Sequence, residues 1–126
     1  MRHFLALIII CFSFSSSAQT QSEIGKQLEL GNVERLTSYF NETIELGIPG
    51  SKGLFNKKQA SIVLKDFFSK NPPNKYFQKH SGGGNNKALF EIGSLLTNEK
   101  RYRTYLLYNL VENKPQIIEL RIELEE

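Results

Sequence analysis

Cysteine and histidine are scarce in this chain of 126 residues, and tryptophan is absent. The single cysteine, Cys11, lies near the N-terminus and leaves the rest of the chain without a disulfide partner. His80 is the only histidine after residue 3. A multi-histidine or cysteine-ligated metal site is therefore excluded, and we expect neither a metal nor a cofactor.

The same scarcity limits the catalytic groups. Only Asp66 and His80 could serve as the acid and the base of a nucleophilic triad, and the helical wheel turns Asp66 towards solvent. Gly82, Gly83 and Gly84 precede a strand pattern rather than a helix, so they indicate a hairpin loop and not a phosphate site. We expect a non-enzymatic protein. The alternative is a small hydrolase, isomerase or dehydratase with His80 as its general base.

Long apolar runs are missing as well. The stretch from Phe4 to Phe14 is well short of the roughly 20 residues of a spanning helix. It follows Arg2 and precedes three serines and Ala18, which is the pattern of a secretory signal cleaved after Ala18. We therefore predict a signal peptide at 1–18 and a single domain at 19–126 without a transmembrane segment. An exported domain with no disulfide is typical of a bacterial periplasm or cell surface.

Basic residues are concentrated in the middle of the chain. The net charge is +3, but residues 52–103 contain eleven Lys or Arg and only three carboxylates. This pattern is typical of a solvated basic surface, and the alternative is attraction to an anionic component of the envelope. No basic run alternates with stacking aromatics, so we expect no nucleic acid partner.

Capping residues and periodicity predict three helices. Thr20, Asn32 and Asn56 stand at expected helix N-termini, the first and last within capping boxes. Gly31 is expected to end the first helix, and the two prolines after Asn71 the third. The second helix is expected to carry Val33, Leu36 and Phe40 on one face, and the third Ala60, Val63, Leu64, Phe67 and Phe68.

Alternation and turn residues predict six strands, at 43–48, 53–55, 76–80, 88–97, 101–111 and 117–124. A glycine-rich loop is expected at 81–86. The last strand is expected to turn Ile118, Leu120, Ile122 and Leu124 inward and Glu119, Arg121 and Glu123 outward. No helix separates the last four strands, so the expected fold is α+β, with helices on one face of an antiparallel sheet.

Four stretches resemble a family of small exported bacterial proteins catalogued as domain of unknown function 4783. They are Gly31 to Phe40 (GNVERLTSYF), Asp66 to Pro73 (DFFSKNPP), Tyr102 to Leu107 (YRTYLL) and Leu120 to Glu123 (LRIE). The order of elements is similar to the nuclear transport factor 2-like (cystatin-like) fold. The resemblance implies a curved sheet that wraps the long helix into a cone with an apolar cavity, and it implies no activity for any residue.

Two groups of residues are the candidate sites. The first either fills the core or lines an apolar pocket for a small molecule, and it consists of Phe40, Phe67, Phe68, Tyr102 and Leu106. The second group lies on one face of the 101–111 strand and consists of Arg103, Tyr105 and Leu107. This face is more apolar than a strand face that only contacts water, so it is a candidate interface. We therefore expect a binding or accessory module of the bacterial envelope, and the alternative is a structural homodimer.

Overall fold

Three helices and six strands make up the computed structural model, which describes residues 22–85 and 87–126. The predicted signal peptide at 1–18 lies outside the described residues. The elements in chain order are α1 (Glu23–Leu30), α2 (Val33–Ser38), β1 (Phe40–Ile48), β2 (Ser51–Asn56), α3 (Lys57–Lys70), β3 (Pro73–Gly83), β4 (Leu89–Thr97), β5 (Arg101–Val111) and β6 (Lys114–Leu124).

The helix boundaries follow their capping residues. Asn56 accepts a hydrogen bond from the Gln59 backbone N–H at 2.8 Å, and the Gln59 side chain accepts one from the Asn56 N–H, which confirms the capping box of α3. Asn32 caps α2, and Gly31 ends α1 in the left-handed conformation with φ 62°. The cap of α1 is Ser22, and the predicted cap Thr20 lies outside the described residues.

The prediction that Phe40 belongs to the second helix is wrong. Helix α2 ends at Ser38, and Phe40 begins β1. The Ile117 N–H donates to the Tyr39 carbonyl at 2.7 Å, and Phe40 is paired with Ile117 in the sheet. Hydrogen bonds to a strand far along the chain therefore outweigh the helical spacing of three apolar side chains.

The strands form one mixed sheet in the order β2-β1-β6-β5-β4-β3. Neighbouring strands are antiparallel except β1 and β6, which are parallel, so the expectation of a wholly antiparallel sheet is wrong at this one pair. The α+β class is confirmed, because the helices pack against this curved sheet. Hairpin spacing predicts only pairs that are adjacent in sequence, and β1 and β6 are separated by most of the domain.

The alternation predicted for the last strand is interrupted. The register between β5 and β6 shifts between Leu107 and Tyr108, which leaves Ile118 as an extra residue in β6. Ile117 is consequently fully buried in place of Ile118. Leu124 lies opposite buried Tyr102 on the inner face, as predicted, but it is 49% exposed at the end of the strand. Glu119, which was expected to face water, is buried beneath Arg121 and bonded to it.

The glycines at 82–84 lie at a hairpin and not at a helix N-terminus. Strand β3 continues through Gly83, so the predicted loop at 81–86 is too long at its start. The next described element is β4, a strand, as predicted. A phosphate loop binds its ligand with the free backbone N–H groups at a helix N-terminus. These glycines have a strand after them instead, so they lack those donors.

Among the described residues, nineteen buried apolar side chains fill the space between the helices and the inner face of the sheet as one cluster. They come from all three helices and from every strand except β2. No helix among the described residues is long and apolar enough to cross a membrane.

Candidate functional site

A cleft of about 640 Å³ opens beside the second half of α3. Its other walls are the turn between β1 and β2 and the start of β5. The apolar lining consists of Ile48, Pro49, Ile62, Val63, Phe67 and Tyr102, and the polar lining includes Asp66, Lys70, Asn71 and Lys100. The cleft is therefore lined by apolar and polar groups in about equal measure.

The floor of the cleft is held by aromatic packing and hydrogen bonds. The rings of Phe67 and Tyr102 meet edge to face with centroids 5.4 Å apart. The Tyr102 hydroxyl donates to Asn71 Oδ1 at 3.0 Å, and Asn71 Nδ2 donates to the Phe67 carbonyl at 3.0 Å. Because Asn71 ends α3 just before Pro72, the residues that stop the helix also fix the position of the floor.

The five predicted pocket residues all belong to the buried cluster, but only two of them line the cleft. Phe67 and Tyr102 line the cleft, whereas Phe40 and Leu106 are enclosed in the core, with exposed fractions of 2% and 0%. Phe68 borders a separate shallow depression between α2 and α3. The spacing of apolar residues identifies these side chains as inward, but it does not distinguish the filled core from the wall of a cleft.

The two candidate catalytic residues are also apart. Asp66 is exposed and pairs with Lys70 Nζ at 3.1 Å. His80 is exposed on β3, the edge strand opposite the β1–β2 side against which α3 packs. Among the described residues, no group of three His, Cys, Asp or Glu side chains could hold a metal ion. The described part of the chain therefore does not bring Asp66 and His80 into one site.

The predicted interface residues lie on the outer face of the sheet. Tyr105 and Leu107 are half-buried, and their cross-strand neighbours on β4 are Ile92 and Phe90. The Arg121 guanidinium lies 5.4 Å from the centre of the Tyr105 ring. Exposed Arg103 adjoins this patch, and its neighbour in β6 is Glu123. Apolar side chains thus continue across β4 and β5 with charges of both signs beside them.

Sequence comparison assigns the family. A family model described as a domain of unknown function, DUF4783, matches residues 21–123. The chain belongs to the DUF4783 family. No curated protein matches the sequence.

Solved DUF4783 structures share this fold. The chain is 24% identical to a Bacteroides uniformis family member with a TM-score of 0.74, covering 82% of this chain and 94% of that one. A Bacteroides fragilis member is 26% identical with a TM-score of 0.73, covering 81% and 95%. A Burkholderia xenovorans NTF-2 like protein of unknown function is 10% identical with a TM-score of 0.58, covering 82% and 77%. The nuclear transport factor 2-like fold expected from the sequence is confirmed.

One polar cluster of this DUF4783 domain was missed by sequence reasoning. The carboxylate of Glu91 on β4 is buried, with an exposed fraction of 2%. It accepts hydrogen bonds from the Tyr76 hydroxyl on β3 and from Ser22 Oγ at 3.0 Å. Ser22 is also the N-cap of α1, so this buried carboxylate joins the first helix to the sheet. The alternation of β4, which puts Glu91 on the same face as Leu95, was the signal that could have revealed it.

The Tyr76 ring is enclosed between two glycines. A Cβ added to Gly25 of α1 would lie 2.5 Å from the ring atom Cε1, and a Cβ added to Gly93 of β4 would lie 2.5 Å from Cζ. Only glycine therefore fits at either position. Burial, followed by the negative charge of Glu91, raises the pKa of Tyr76 far above its ordinary value of 10.0. The phenol is therefore held in its protonated form, which donates to Glu91.

Proposed function

We propose that this protein is a non-enzymatic binding module of the bacterial envelope that holds a small molecule with an apolar body in the cleft beside α3. The observation that carries the proposal is a cleft of about 640 Å³ whose apolar floor is fixed by the Phe67–Tyr102 contact and the Asn71 hydrogen bonds. Ligand sites usually have volumes of about 300–1,000 Å³, and this cleft lies within that range.

The distribution of polar groups supports binding rather than catalysis. Of the titratable side chains at the cleft, Asp66, Lys70 and Lys100 are exposed, and the hydroxyl of buried Tyr102 is bonded to Asn71. An enzyme needs two or three such groups aimed at one reacting atom. Ile62, by contrast, lines the cleft with 62% of its surface exposed, so a ligand with an apolar body gains contact area there.

Replacing Ile62 by Glu should weaken binding of a neutral apolar fluorophore, N-phenyl-1-naphthylamine, by about tenfold, which corresponds to about 1.4 kcal/mol. The reason is that a carboxylate at this wall must lose water when the apolar probe enters. Fluorescence titration measures the affinity. Ile62 is exposed, so thermal unfolding should change little.

The matched control is Leu30→Glu, because Leu30 is also 62% exposed on a helix but lies outside the cleft. It should leave the affinity for the fluorophore unchanged. Equal affinities of the wild-type protein and Ile62→Glu would remove the cleft from the proposal.

A structural homodimer is the second candidate, favoured by the apolar patch on the outer face of the sheet. On β5, Tyr105 and Leu107 are the cross-strand neighbours of Ile92 and Phe90 on β4. Phe77 on β3 is 47% exposed. A two-fold axis over this patch would let the basic and acidic side chains at its edge pair between two copies. We propose a second copy of this chain as its partner.

Tyr105→Asp should convert such a dimer to a monomer without unfolding it, because an unpaired carboxylate would be buried at the interface. Light scattering after size-exclusion chromatography measures the mass, and circular dichroism checks the fold. Leu30→Asp, on an exposed position of α1, is the control that should stay dimeric. A wild-type protein that is monomeric at high concentration would rule out this candidate.

A further inference from the structure

Two lysines and an asparagine lie at one end of the cleft beside α3. A second depression of about 220 Å³ adjoins the cleft there, and both are bordered by Lys70, Asn71 and Lys100. Thr97, Asn98 and Glu99, from the turn between β4 and β5, line the far side of this depression. A molecule that fills the apolar part of the cleft therefore reaches two lysines at this end.

The charged groups at this end differ in how well they are paired. The Lys70 ammonium is bonded to Asp66 at 3.1 Å within α3. The Lys100 ammonium forms no ion pair with any carboxylate of the described residues. The carboxylates bordering the two depressions are Asp66 and Glu99, and only Asp66 borders the cleft itself. The cleft therefore has one unmatched positive charge, on Lys100.

The amide oxygen and nitrogen of Asn71 are both already hydrogen-bonded to other residues of the protein. The oxygen accepts from Tyr102 and the nitrogen donates to the Phe67 carbonyl. The ammonium groups of Lys70 and Lys100 are consequently the cationic donors available to a ligand. The surrounding charge acts in the same direction, since residues 52–103, which form most of this cleft, have a large excess of Lys and Arg.

We propose that the ligand of this cleft is a soluble amphiphile with one anionic head, such as a carboxylate. The head lies against Lys100 and Lys70, and the apolar body lies over Phe67 and Ile62. This inference rests on the proposed function, because it names the class of molecule that the same cleft binds. An anionic head pairs with the unmatched Lys100, whereas a neutral head leaves that charge with water alone.

Three probes with one apolar chain and different heads test the inference: decanoate, decanol and decyltrimethylammonium. Each competes with N-phenyl-1-naphthylamine for the cleft, and displacement gives its affinity. We expect decanoate to bind about tenfold more tightly than decanol, with decyltrimethylammonium the weakest. The advantage of decanoate should shrink as salt is added, because the lysines are exposed to solvent.

Adjacent charges of opposite sign supply matched variants. Lys100→Gln should weaken decanoate about three- to tenfold and leave decanol unchanged, whereas Glu99→Gln should strengthen decanoate about twofold. Lys58→Gln, at an exposed lysine of α3 outside the cleft, should change neither. Binding of decanoate and decanol with equal affinity would overturn the inference and leave the proposed function standing.

Two further outcomes would also overturn the inference. If neither the fluorophore nor any of the three probes binds, the proposed function fails as well. If the protein sediments with vesicles of anionic phosphatidylglycerol through Lys100 but does not bind decanoate, the lysine serves a membrane surface and not a soluble amphiphile.

Discussion

Gly93→Ala should lower the free energy of unfolding by about 3–5 kcal/mol, a large part of the 5–15 kcal/mol typical of a domain. The new methyl group would lie 2.5 Å from Tyr76 Cζ and 2.6 Å from Cε2. The ring has little room to move away, because its other edge packs against Gly25 of α1 so closely that even a Cβ there would lie only 2.5 Å from Cε1. The expected cost combines overpacking, about 1–3 kcal/mol, with the weakened hydrogen bond to Glu91. Urea unfolding followed by circular dichroism measures it.

Gly47→Ala is the matched control, because Gly47 is also a strand glycine. A Cβ there meets only Arg121 Cγ at 3.6 Å, an ordinary contact distance. The control should stay within about 0.5 kcal/mol of the wild-type protein. If Gly93→Ala were as stable as Gly47→Ala, Tyr76 would not be packed between α1 and β4.

Tyr76→Phe should lower the free energy of unfolding by about 2–3 kcal/mol at neutral pH. The substitution keeps the ring but removes the hydroxyl that donates to Glu91. Among the described residues, two side chains donate to Glu91, those of Tyr76 and Ser22. The variant would leave only Ser22. A buried carboxylate that loses a hydrogen-bond donor is costly, because less of its desolvation is then offset. Denaturant unfolding of the two proteins gives the difference.

Two variants separate this effect from the loss of a hydroxyl as such. Tyr105→Phe removes a hydroxyl that has no hydrogen bond to the described residues, and it should change stability by less than about 0.5 kcal/mol. Adding Glu91→Gln to Tyr76→Phe should restore part of the lost stability, because the buried group is then uncharged. A fully stable Tyr76→Phe protein would contradict the role given to the hydrogen bond.

The same pair of proteins has a defined dependence on pH. The pKa of Tyr76 is raised in the folded state, so the phenol contributes its stability fully below the unfolded pKa and loses it as pH rises above about 10. In the unfolded chain this tyrosine ionises first, which favours unfolding of the wild-type protein alone. The stability difference between the wild-type protein and Tyr76→Phe should therefore shrink above that pH.

Short-range signals in the sequence were sufficient for the bounds of α3 and β5, whereas β1, β3 and β6 each begin three residues before their predicted starts. The capping box of Asn56 and Gln59, the left-handed Gly31 and the bounds of the 101–111 strand were all predicted correctly. Each of these features depends on residues within one turn or one strand, where local backbone chemistry dominates. The same kind of signal misled at Phe40, because its helical spacing from Leu36 conflicts with a pairing to Ile117.

The candidate site was less accessible from the sequence. Phe67 and Tyr102 were predicted as lining residues, but Asn71, which connects them, was interpreted only as the end of a helix. The distinction between Tyr102 at the cleft and Leu106 in the core depends on where α3 lies relative to β5. Two residues of one strand with the same inward direction therefore have different surroundings.

The sequence by itself determined the α+β class, the family and the bounds of α3 and β5, because capping, alternation and motif order act over short distances. Only the tertiary structure decided the parallel pairing of β1 with β6, the extra residue at Ile118, the burial of Glu91 beneath Tyr76 and the position of the cleft. Each of these depends on contacts between segments far apart in the chain. Their energies are set by packing and desolvation across the whole domain. Alternation could place Glu91 on the inner face, but no local pattern identifies Tyr76 and Ser22 as its partners.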